Sequence, residues 1–366
     1  MLSLQKILTY AVKNGASDIH LAVGTPPAVR IDGVIRVIPD VEPLVTEHMD
    51  EFLSTIMSPS RKARFLERGD DDLAYSLPGV GRFRVNCLMQ RGTVGIVMRY
   101  VKNKIFSFAE LNLPPSLETI CQMQRGLVLV TGTTGSGKST TLAAIIDRIN
   151  ENRRCHIVTI EDPIEYLYKN KKSIVTQREV NIDTQDFHTA LRAVMREDPD
   201  VILIGEMRDA ETFQACISAA ETGHLVLSTL HTTNVMMTVD RILDMFPTNQ
   251  HQQVRSQLAL QLRACISQRL LPAADGQGRV PAVEVMFNNP GIAQLIRENN
   301  VKQIPNAIAG GKEEGMQTFN MSLVDLVKKR LVTREEAELA SDNPEELKMN
   351  LQGIFLSQGR GGILKR

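Results

Sequence analysis

Hydrophobic and polar residues alternate in blocks through the middle of the chain. Four nearly continuous apolar runs, at residues 127–130, 155–160, 201–204 and 225–230, are separated by stretches with helical spacing. Such runs are typical of parallel strands that are covered by helices on both faces. Helices are predicted over residues 186–197, with Asp186 as N-cap, and over residues 209–222, closed by Gly223. The pattern therefore predicts an α/β fold built around a parallel sheet.

The N-terminal part of the chain carries shorter segments. Helical spacing covers residues 2–14 and 46–66, and strands are predicted over residues 18–21, 28–31, 73–77, 81–90 and 95–100. Asp32-Gly33, between two of these strands, is a typical hairpin turn. These elements predict a small mixed domain of helices and antiparallel strands over residues 1–101.

Polar and turn-forming residues mark the other boundaries. Residues 102–115, which include Pro114-Pro115, are predicted to be a linker. The second domain then covers residues 116–290, and a C-terminal helical region with a tail covers residues 291–366. Within them we expect residues 250–271 and 291–348 to be mainly helical, residues 272–279 to form turns, and the basic tail 359–366 to be flexible.

Composition narrows the class of protein. The 366 residues are 43% hydrophobic and 23% charged, which suits a globular chain of two or three domains. The formal net charge is +0, so the general basic footprint of a nucleic-acid-binding protein is missing and no nucleic-acid partner is expected. No apolar run approaches the ~18 residues of a membrane span, and no two cysteines form a CxxC pair. We expect a cytoplasmic protein without a zinc or redox motif.

A glycine-rich loop follows the apolar run 127–130. It reads Gly132-Thr133-Thr134-Gly135-Ser136-Gly137-Lys138-Ser139-Thr140, and an apolar helical stretch comes next. This is the strand, GxxxxGK[ST] loop and helix order of a P-loop. Glycines let backbone N–H groups surround a phosphate, Lys138 reaches the β- and γ-phosphates, and the Ser139 hydroxyl ligates Mg²⁺. Residues 133–140 are therefore predicted to bind a nucleotide and Mg²⁺.

Ligands of open α/β sheets bind at the carboxyl ends of the strands, so acids in these positions are candidates for catalysis. Glu206 follows the apolar run 201–204 and Gly205, which is the layout of a Walker B strand. Glu206 is predicted to hold Mg²⁺, through a water molecule. A solvated acid at the end of a strand is the simpler alternative.

Three further acids, Glu161, Asp162 and Glu165, crowd the end of the predicted strand over residues 155–160. Their mutual repulsion is costly unless a cation lies nearby, and bound Mg²⁺ would supply one. One of the three is expected to activate water. Their spacing alone does not choose among them.

Two histidines, His224 and His231, flank the apolar run Leu225–Leu230. Seven positions on a straight strand span roughly 23 Å, so the two cannot share one metal ion. His231, at the carboxyl end, is placed to report the γ-phosphate. For His224, a core or capping role is an equal alternative.

Four arginines, Arg82, Arg84, Arg91 and Arg99, lie in or beside the strands of the N-terminal domain. A solvated sheet face is the simpler interpretation. In a ring of subunits, some of them could act in trans as arginine fingers on a neighbour's nucleotide.

Several motifs together resemble the type II/type IV secretion ATPase superfamily, and most of all its type IV pilus retraction branch. Besides the P-loop, the matching segments are Gly15-Ala16-Ser17-Asp18-Ile19-His20, Gly81-Arg82-Phe83-Arg84-Val85-Asn86, Thr159-Ile160-Glu161-Asp162-Pro163-Ile164-Glu165, Arg196-Glu197-Asp198-Pro199-Asp200, Gly205-Glu206-Met207-Arg208-Asp209, Ala220-Glu221-Thr222-Gly223-His224, Thr229-Leu230-His231-Thr232 and Gly315-Met316-Gln317-Thr318. The resemblance covers nearly the whole chain.

The resemblance implies a PAS-like α+β N-terminal domain, a RecA-like P-loop ATPase domain and C-terminal helices. It implies an enzyme that hydrolyses ATP with Mg²⁺ and works as a homohexameric motor. The ring would act on the cytoplasmic face of the inner membrane, where an inner-membrane pilus platform protein couples hydrolysis to pilus retraction and twitching motility. A paralogous pilus ATPase is a further possible partner.

The same resemblance assigns roles to individual residues. Lys138 and Ser139 take the Walker A roles, Glu165 that of general base and Glu206 that of the Walker B carboxylate. His224 and His231 become a histidine box, and Arg82 and Arg99 match positions suspected of contacting nucleotide from a neighbouring domain.

Pilus assembly relatives usually carry an extra N-terminal domain and a four-cysteine zinc module, which this chain does not have, so the sequence favours retraction. The retraction signature, close to AIRNLIRE, stands here as Gly291-Ile292-Ala293-Gln294-Leu295-Ile296-Arg297-Glu298. Because Ala293 and Gln294 replace Arg and Asn, the main retraction motor, an accessory paralogue and a motor of another pilus system all remain open.

Two hypotheses of other kinds compete with the pilus motor. A nucleic-acid translocase is disfavoured by the neutral net charge. A non-hydrolysing regulatory subunit is disfavoured because Lys138, Glu165 and Glu206 are all present.

Overall fold

The computed structural model describes residues 3–31, 33–101 and 104–353. The chain divides into two compact units. The first consists of the described residues of Met1–Lys104 together with Pro163–Leu167, and the second of those of Ile105–Asp162 and Tyr168–Arg366. Each unit has its own hydrophobic core. The acidic segment 161–165 is therefore split between the units after Asp162.

The first unit is built on a six-stranded antiparallel sheet. Its helices are α1 (Leu4–Lys13), α2 (Thr46–Ile56) and α3 (Pro59–Arg68), and its strands are β1 (Asp18–Ala22), β2 (Ala28–Ile31), β3 (Val34–Val37), β4 (Asp70–Leu77), β5 (Gly81–Gln90) and β6 (Thr93–Val101). The strand order is β3-β2-β1-β6-β5-β4. Phe52 of α2, Phe65 of α3 and Phe83 of β5 are fully buried in its core. This arrangement confirms the predicted mixture of helices and antiparallel strands.

One prediction in this unit is wrong. Residues 46–66 do not form one helix, because α2 ends at Ile56 and α3 starts at Pro59. A residue that precedes proline is disfavoured in the helical conformation, and Ser58 is extended, with its hydroxyl accepting the N–H of Arg61 as the N-cap of α3. Of the predicted hairpin turn, Asp32 lies outside the described residues, whereas the flanking strands β2 and β3 pair as expected.

The second unit has a seven-stranded sheet. Its first helices are α4 (Glu118–Gln122), α5 (Lys138–Asn152), α6 (Phe187–Val194), α7 (Ala210–Glu221), α8 (Val235–Leu243) and α9 (His251–Gln261), and its strands are β7 (Gly126–Thr131), β8 (His156–Glu161), β9 (Ile174–Glu179), β10 (Val201–Ile204), β11 (Leu225–Leu230), β12 (Leu262–Pro272) and β13 (Arg279–Phe287). The order is β13-β12-β7-β11-β10-β8-β9, in which only the β12–β13 pair is antiparallel. The predicted α/β fold with a parallel sheet is confirmed.

The β12–β13 hairpin corrects the prediction that residues 250–271 are mainly helical. Helix α9 ends at Gln261, and β12 then runs parallel to β7 from Leu262 onwards. Apolar residues four positions apart, Val254, Leu258, Leu262 and Ile266, continue a helical pattern across this boundary. Pairing with β7 and β13 buries most of the strand and overrides that pattern. The parallel strand β9 was also missed.

The C-terminal helices are α10 (Pro290–Arg297), α11 (Ile304–Gly310), α12 (Phe319–Lys328), α13 (Arg334–Ala340) and α14 (Pro344–Leu351), and short 3₁₀ turns lie at Pro115–Leu117, Thr248–Gln250, Val301–Gln303 and Lys312–Glu314. Helices α12 and α13 pack against the β12–β13 hairpin, whereas α10 contacts α9 and α11 contacts α8. Leu271 and Val280 of the hairpin share a buried cluster with Phe319, Leu323 and Leu347. The predicted basic tail 359–366 lies outside the described residues. Among the residues that the structure describes, no helix is long and apolar enough to cross a membrane.

Candidate active site

The glycine-rich loop connects the buried strand β7 to the start of α5. Gly132, Gly135 and Gly137 have φ values of +151°, +78° and +91°, which side-chain-bearing residues rarely adopt. Thr133, Thr134 and Gly135 are exposed, Ser136 is buried, and Ser139 and Thr140 are half-buried in the first turn of α5. The exposed residues 133–135 thus precede the N-terminus of α5, and this geometry suits a phosphate group.

Lys138 is buried and crosses this loop. Its Nζ donates hydrogen bonds to the carbonyl oxygens of Gly132, at 2.9 Å, and Thr133, at 3.1 Å. These two carbonyls are on the strand side of the loop, so the ammonium group is held inside its curve. A cation placed there is available to an anion that the loop N–H groups surround.

Side chains of the β12–β13 hairpin support the loop from beneath. The Thr141 hydroxyl of α5 donates to Oε1 of the buried Gln268 at 2.7 Å. A Cβ added to Gly137 would lie 2.8 Å from Nε2 of Gln268, so that amide fills the space that the glycine leaves. Arg279 Nη1 donates to the carbonyl oxygen of Gly135 at 3.4 Å. Sequence reasoning missed Gln268 and Arg279, since their segment was not predicted to lie beside the loop.

Glu206 follows β10 and is half-buried between two nitrogen donors. Arg208 Nε donates to Glu206 Oε2 at 2.8 Å, and His231 Nε2 lies 3.1 Å from Glu206 Oε1. The hydrogen bond and charge of Glu206 raise the pKa of Arg208, and the charge of Asp162 adds to this effect. The structure therefore brings together Glu206 and His231, and it adds Arg208 to them.

The sheet register explains why these groups meet. Thr131, the last residue of β7, pairs with Leu230, the last residue of β11, and Ile204 at the end of β10 pairs with Ser228. Beyond β10, the Thr229 hydroxyl donates to the carbonyl oxygen of Gly205 at 2.7 Å. The glycine-rich loop, Glu206 and His231 consequently leave the sheet at the same edge, where open parallel sheets bind ligands.

His224 lies at the other end of β11. Its Nδ1 is 2.9 Å from the carbonyl oxygen of Ala219 and 3.1 Å from the Thr222 hydroxyl, both at the C-terminal end of α7. These contacts are those of a capping residue, which was the structural alternative for His224. The strand β11 separates it from His231.

The three acids after β8 lie in different surroundings. Glu161 is buried, and its Oε1 accepts hydrogen bonds from the Thr159 hydroxyl at 2.7 Å and from Gln177 Nε2 at 3.3 Å. Asp162 is exposed and acts electrostatically on Arg208. Glu165 is exposed and belongs to the segment Pro163–Leu167 of the first unit.

Three of the four arginines singled out in the sequence, Arg82, Arg84 and Arg99, form a row on one face of the first unit's sheet, whereas Arg91 lies in the turn between β5 and β6. Arg99 of β6 is directly opposite Arg84 of β5 on one side and Asp18 of β1 on the other, and Arg82 lies two residues before Arg84. Arg99 Nε donates to Asp18 Oδ1 at 2.7 Å, while 70% of the Arg99 side chain remains exposed. Burial opposes ionisation of Asp18, but hydrogen bonds from Ser17 and Arg99 outweigh it, so its pKa is below the ordinary value. Asp18 thus offsets the repulsion within this row.

Within the described residues 3–31, 33–101 and 104–353, no group of three or more His, Cys, Asp or Glu side chains could hold a metal ion. Mg²⁺ is usually bound through one or two protein ligands together with water and phosphate oxygens. The oxygens of Ser139 and Glu206 fit that kind of site.

A buried acid caps the helix that follows His231. Glu284 of β13 accepts the N–H of Val235, the first residue of α8, at 2.8 Å. The pKa of Glu284 is raised to about 7, mainly by burial and also by the charge of Asp342, whereas the Val235 hydrogen bond and the charge of Arg269 oppose the shift. Sequence reasoning gave no signal for Glu284, because its partner is distant in the chain.

The family comparison agrees with this geometry. The family described as type II/IV secretion system protein matches residues 1–352 of the chain. Because this match covers almost all of the sequence, the chain belongs to that family.

Comparison with individual relatives gives a narrower result than the family match. The chain is 45% identical over 344 residues to the type IV pilus retraction ATPase PilT of Pseudomonas aeruginosa, covering 94% of this chain and 99% of the relative. It is 40% identical over 352 residues to the type IV pilus ATPase PilU of the same organism, covering 96% of this chain and 92% of the relative. A crystal structure of the pilus retraction motor PilT with bound ADP superimposes with a TM-score of 0.88 at 48% identity, covering 95% of this chain and 99% of that one.

The tight backbone at Gly132 leads to a stability prediction. A Cβ at this position would collide with the Ser136 side chain and the Gln268 carbonyl oxygen, whereas a Cβ at Gly135 meets no atom within 4 Å. Both glycines have positive φ, +151° at Gly132 and +78° at Gly135, so Gly135→Ala controls for the part of the backbone strain that positive φ causes at both positions. We expect Gly132→Ala to lower the free energy of unfolding by about 1–3 kcal/mol more than Gly135→Ala does. If urea unfolding showed that the two variants lose the same free energy of unfolding, this account of the loop would be contradicted.

The raised pKa of Glu284 predicts a pH dependence. Between pH 4.5, the ordinary value, and about 7, the folded protein binds more protons at this site than the unfolded chain. Stability from this group is therefore lost as pH rises through that window. We expect Glu284→Gln, which no longer titrates, to gain stability relative to the wild type between pH 5 and 7, by at most about 1.4 kcal/mol per pH unit. Urea midpoints measured at several pH values test this, and a pH-independent difference would refute it.

Proposed function

We propose that this protein is an ATP-hydrolysing motor that drives type IV pilus retraction. One observation carries the proposal. The glycine-rich loop with Lys138, Glu206 and His231 all follow the carboxyl ends of neighbouring parallel strands, in a chain that is 45% identical to PilT over 94% of its length. The arrangement supports phosphoryl transfer, because this chemistry depends on positioned cations and carboxylates around a phosphate loop.

The residues at the carboxyl ends of these strands have different roles in the proposed reaction. The loop N–H groups and Lys138 bind and orient the β- and γ-phosphates of ATP. Ser139 and Glu206 are the residues that would hold Mg²⁺, which would supply positive charge against the charge that develops on the phosphate groups. Arg208 fixes one oxygen of Glu206, and His231 at the other oxygen is placed to report the state of the γ-phosphate.

The remaining site residues are proposed on the resemblance to retraction ATPases. Glu165 acts as general base for the attacking water, and His224 completes the histidine box at the far end of β11. Arg82 and Arg99 contact nucleotide in trans from another subunit. The exposure of most of the Arg99 side chain supports a role beyond its pair with Asp18.

The proposed assembly is a homohexamer in the cytoplasm, peripheral to the inner membrane. Its partner is the inner-membrane platform protein of the pilus machine, and a paralogous pilus ATPase joins it in some functions. What supports this assembly is the near full-length similarity to PilT and PilU.

An accessory role, as in PilU, is the second candidate. The altered segment 291–298 is the observation that favours it. In α10, Ile292 and Ile296 are buried, and Gln294 Nε2 donates to Glu298 Oε1 at 2.8 Å. The apolar residues of the signature therefore pack in the core. One of its altered positions, Gln294, makes a side-chain hydrogen bond within the segment.

Two substitutions test the proposed hydrolysis site. Lys138→Ala removes the loop cation, and Glu206→Gln removes the carboxylate charge next to Arg208 and His231. We expect each to lower the ATP turnover number by at least about 10²-fold, in line with losses of single electrostatic groups in other enzymes. Lys329→Ala, which removes an exposed lysine paired with Asp325, is the control and should leave turnover unchanged.

Unchanged turnover in both site variants would show that the assignment of the site is wrong. A purified wild type that binds ATP without turnover would favour the alternative of a non-hydrolysing regulatory subunit.

Deletion of the gene tests the direction of the motor. A retraction motor removes pilin subunits, so its loss should give more surface pili and no twitching. Counting pili by electron microscopy and measuring twitching zones decides this. Loss of pili would indicate an assembly motor, and normal twitching with normal piliation would indicate an accessory role or another pilus system.

A further inference from the structure

Residues 231–234, called the His231 loop here, run from the end of β11 to the start of α8. Two side chains of the β12–β13 hairpin hold this loop. Glu284 accepts the N–H of Val235 at 2.8 Å, and Arg269 Nη2 donates to the carbonyl oxygen of Thr233 at 3.4 Å. A third contact lies within the chain segment itself, where the Thr232 and Thr238 hydroxyls are 2.7 Å apart. The position of His231 therefore depends on the hairpin.

Arg269 has a second set of partners among the C-terminal helices. Its Nη1 donates to the carbonyl oxygen of Ala340, the last residue of α13, at 2.6 Å. Its Nη2 lies 2.9 Å and 2.7 Å from the two carboxylate oxygens of Asp342. The guanidinium carbon is 4.1 Å from the ring centre of Phe319, the first residue of α12. One cation thus connects α12, the end of α13 and the His231 loop.

This connection differs from an ordinary surface ion pair. The Asp342 side chain is 59% exposed, but only 22% of the Arg269 side chain is exposed, so solvent screens the guanidinium less than it screens a surface cation. A carboxylate, two carbonyl oxygens and an aromatic face together satisfy the planar guanidinium in one fixed orientation. A displacement of Ala340 or Asp342 must therefore either move the guanidinium or break these bonds.

The contacts of Arg269 lie on the opposite face of β12 from the contacts that support the glycine-rich loop. Gln268 contacts Thr141 beside the glycine-rich loop, whereas Arg269, the next residue, contacts the C-terminal helices and the His231 loop. Successive side chains of a strand point to opposite faces, which explains the division. A change at Arg269 can consequently reach His231 without disturbing the loop that holds the nucleotide.

We propose that Arg269 is a positioning residue that transmits the placement of helices α12–α14 to the His231 loop, and so sets the His231–Glu206 pair for turnover. The proposal rests on the function proposed above. It makes the C-terminal helices a control on hydrolysis: a partner or a neighbouring subunit that shifts residues 340–342 changes turnover and leaves nucleotide affinity unchanged.

Arg269→Ala and Asp342→Asn test the proposal in the whole 366-residue chain. The three readouts are ATP turnover, affinity for a fluorescent ADP analogue, and amide hydrogen exchange. Arg269→Ala should lower turnover by about tenfold, as expected for a small misplacement of a catalytic group, and should leave ADP affinity within about twofold of the wild type. Hydrogen exchange should become faster in residues 231–237 and stay unchanged in residues 132–140. Asp342→Asn, which keeps the guanidinium, should give a smaller change of the same kind.

Arg334→Ala is the matched control, because it removes an arginine of the same region whose ion pair with Glu338 is a contact within α13. It should change none of the three measurements. Unchanged turnover in Arg269→Ala, or parallel losses of turnover and ADP affinity with faster exchange across the whole second unit, would overturn the proposal.

Two other outcomes have a defined meaning. If Arg269→Ala does not fold, Asp342→Asn decides, and wild-type turnover in that folded variant overturns the proposal. If the wild type itself has no turnover, the proposed function fails, while the exchange of residues 231–237 still decides whether Arg269 positions the loop.

Discussion

The register between β7, β11 and β10 is the constraint on which the site depends. Thr131 pairs with Leu230, and Ile204 pairs with Ser228, so three buried strands end at almost the same level. The segments that leave the sheet there carry the glycine-rich loop, Glu206 and His231. Burial of these strands fixes the register, because a slip of one residue would exchange the faces of every side chain.

The β12–β13 hairpin adds a second constraint on the same edge. It supplies Gln268 beneath the glycine-rich loop, Glu284 at the start of α8 and Arg269 at the His231 loop. The C-terminal helices pack on this hairpin through their own apolar cluster. The hairpin therefore links phosphate binding, the histidine and the C-terminal helices, and this link is what a motor needs if hydrolysis and movement are to be coupled.

Much of this structure could be predicted from the sequence, because its signals are local. The P-loop pattern and the apolar runs located β7, β10 and β11, and the strand-end rule located Glu206 and His231 beside them. The β12–β13 hairpin could not be predicted, since the spacing of Val254, Leu258 and Leu262 favours a continuing helix and only pairing with β7 decides otherwise. Gln268, Arg269 and Glu284 were missed with it, because each works through a partner distant in the chain. Position alone also could not separate Glu161, Asp162 and Glu165, whose burial and unit differ.

Hydrogen exchange with and without Mg²⁺–ADP tests the central claim most directly, namely that one sheet edge of the second unit is the nucleotide site. If the account is right, bound nucleotide slows amide exchange in residues 132–140, and to a smaller extent in residues 205–208 and 230–235. The strand β9, which is separated from β7 by three other strands of the sheet, should exchange as before. Binding of ADP with no slowing in residues 132–140 would contradict the account.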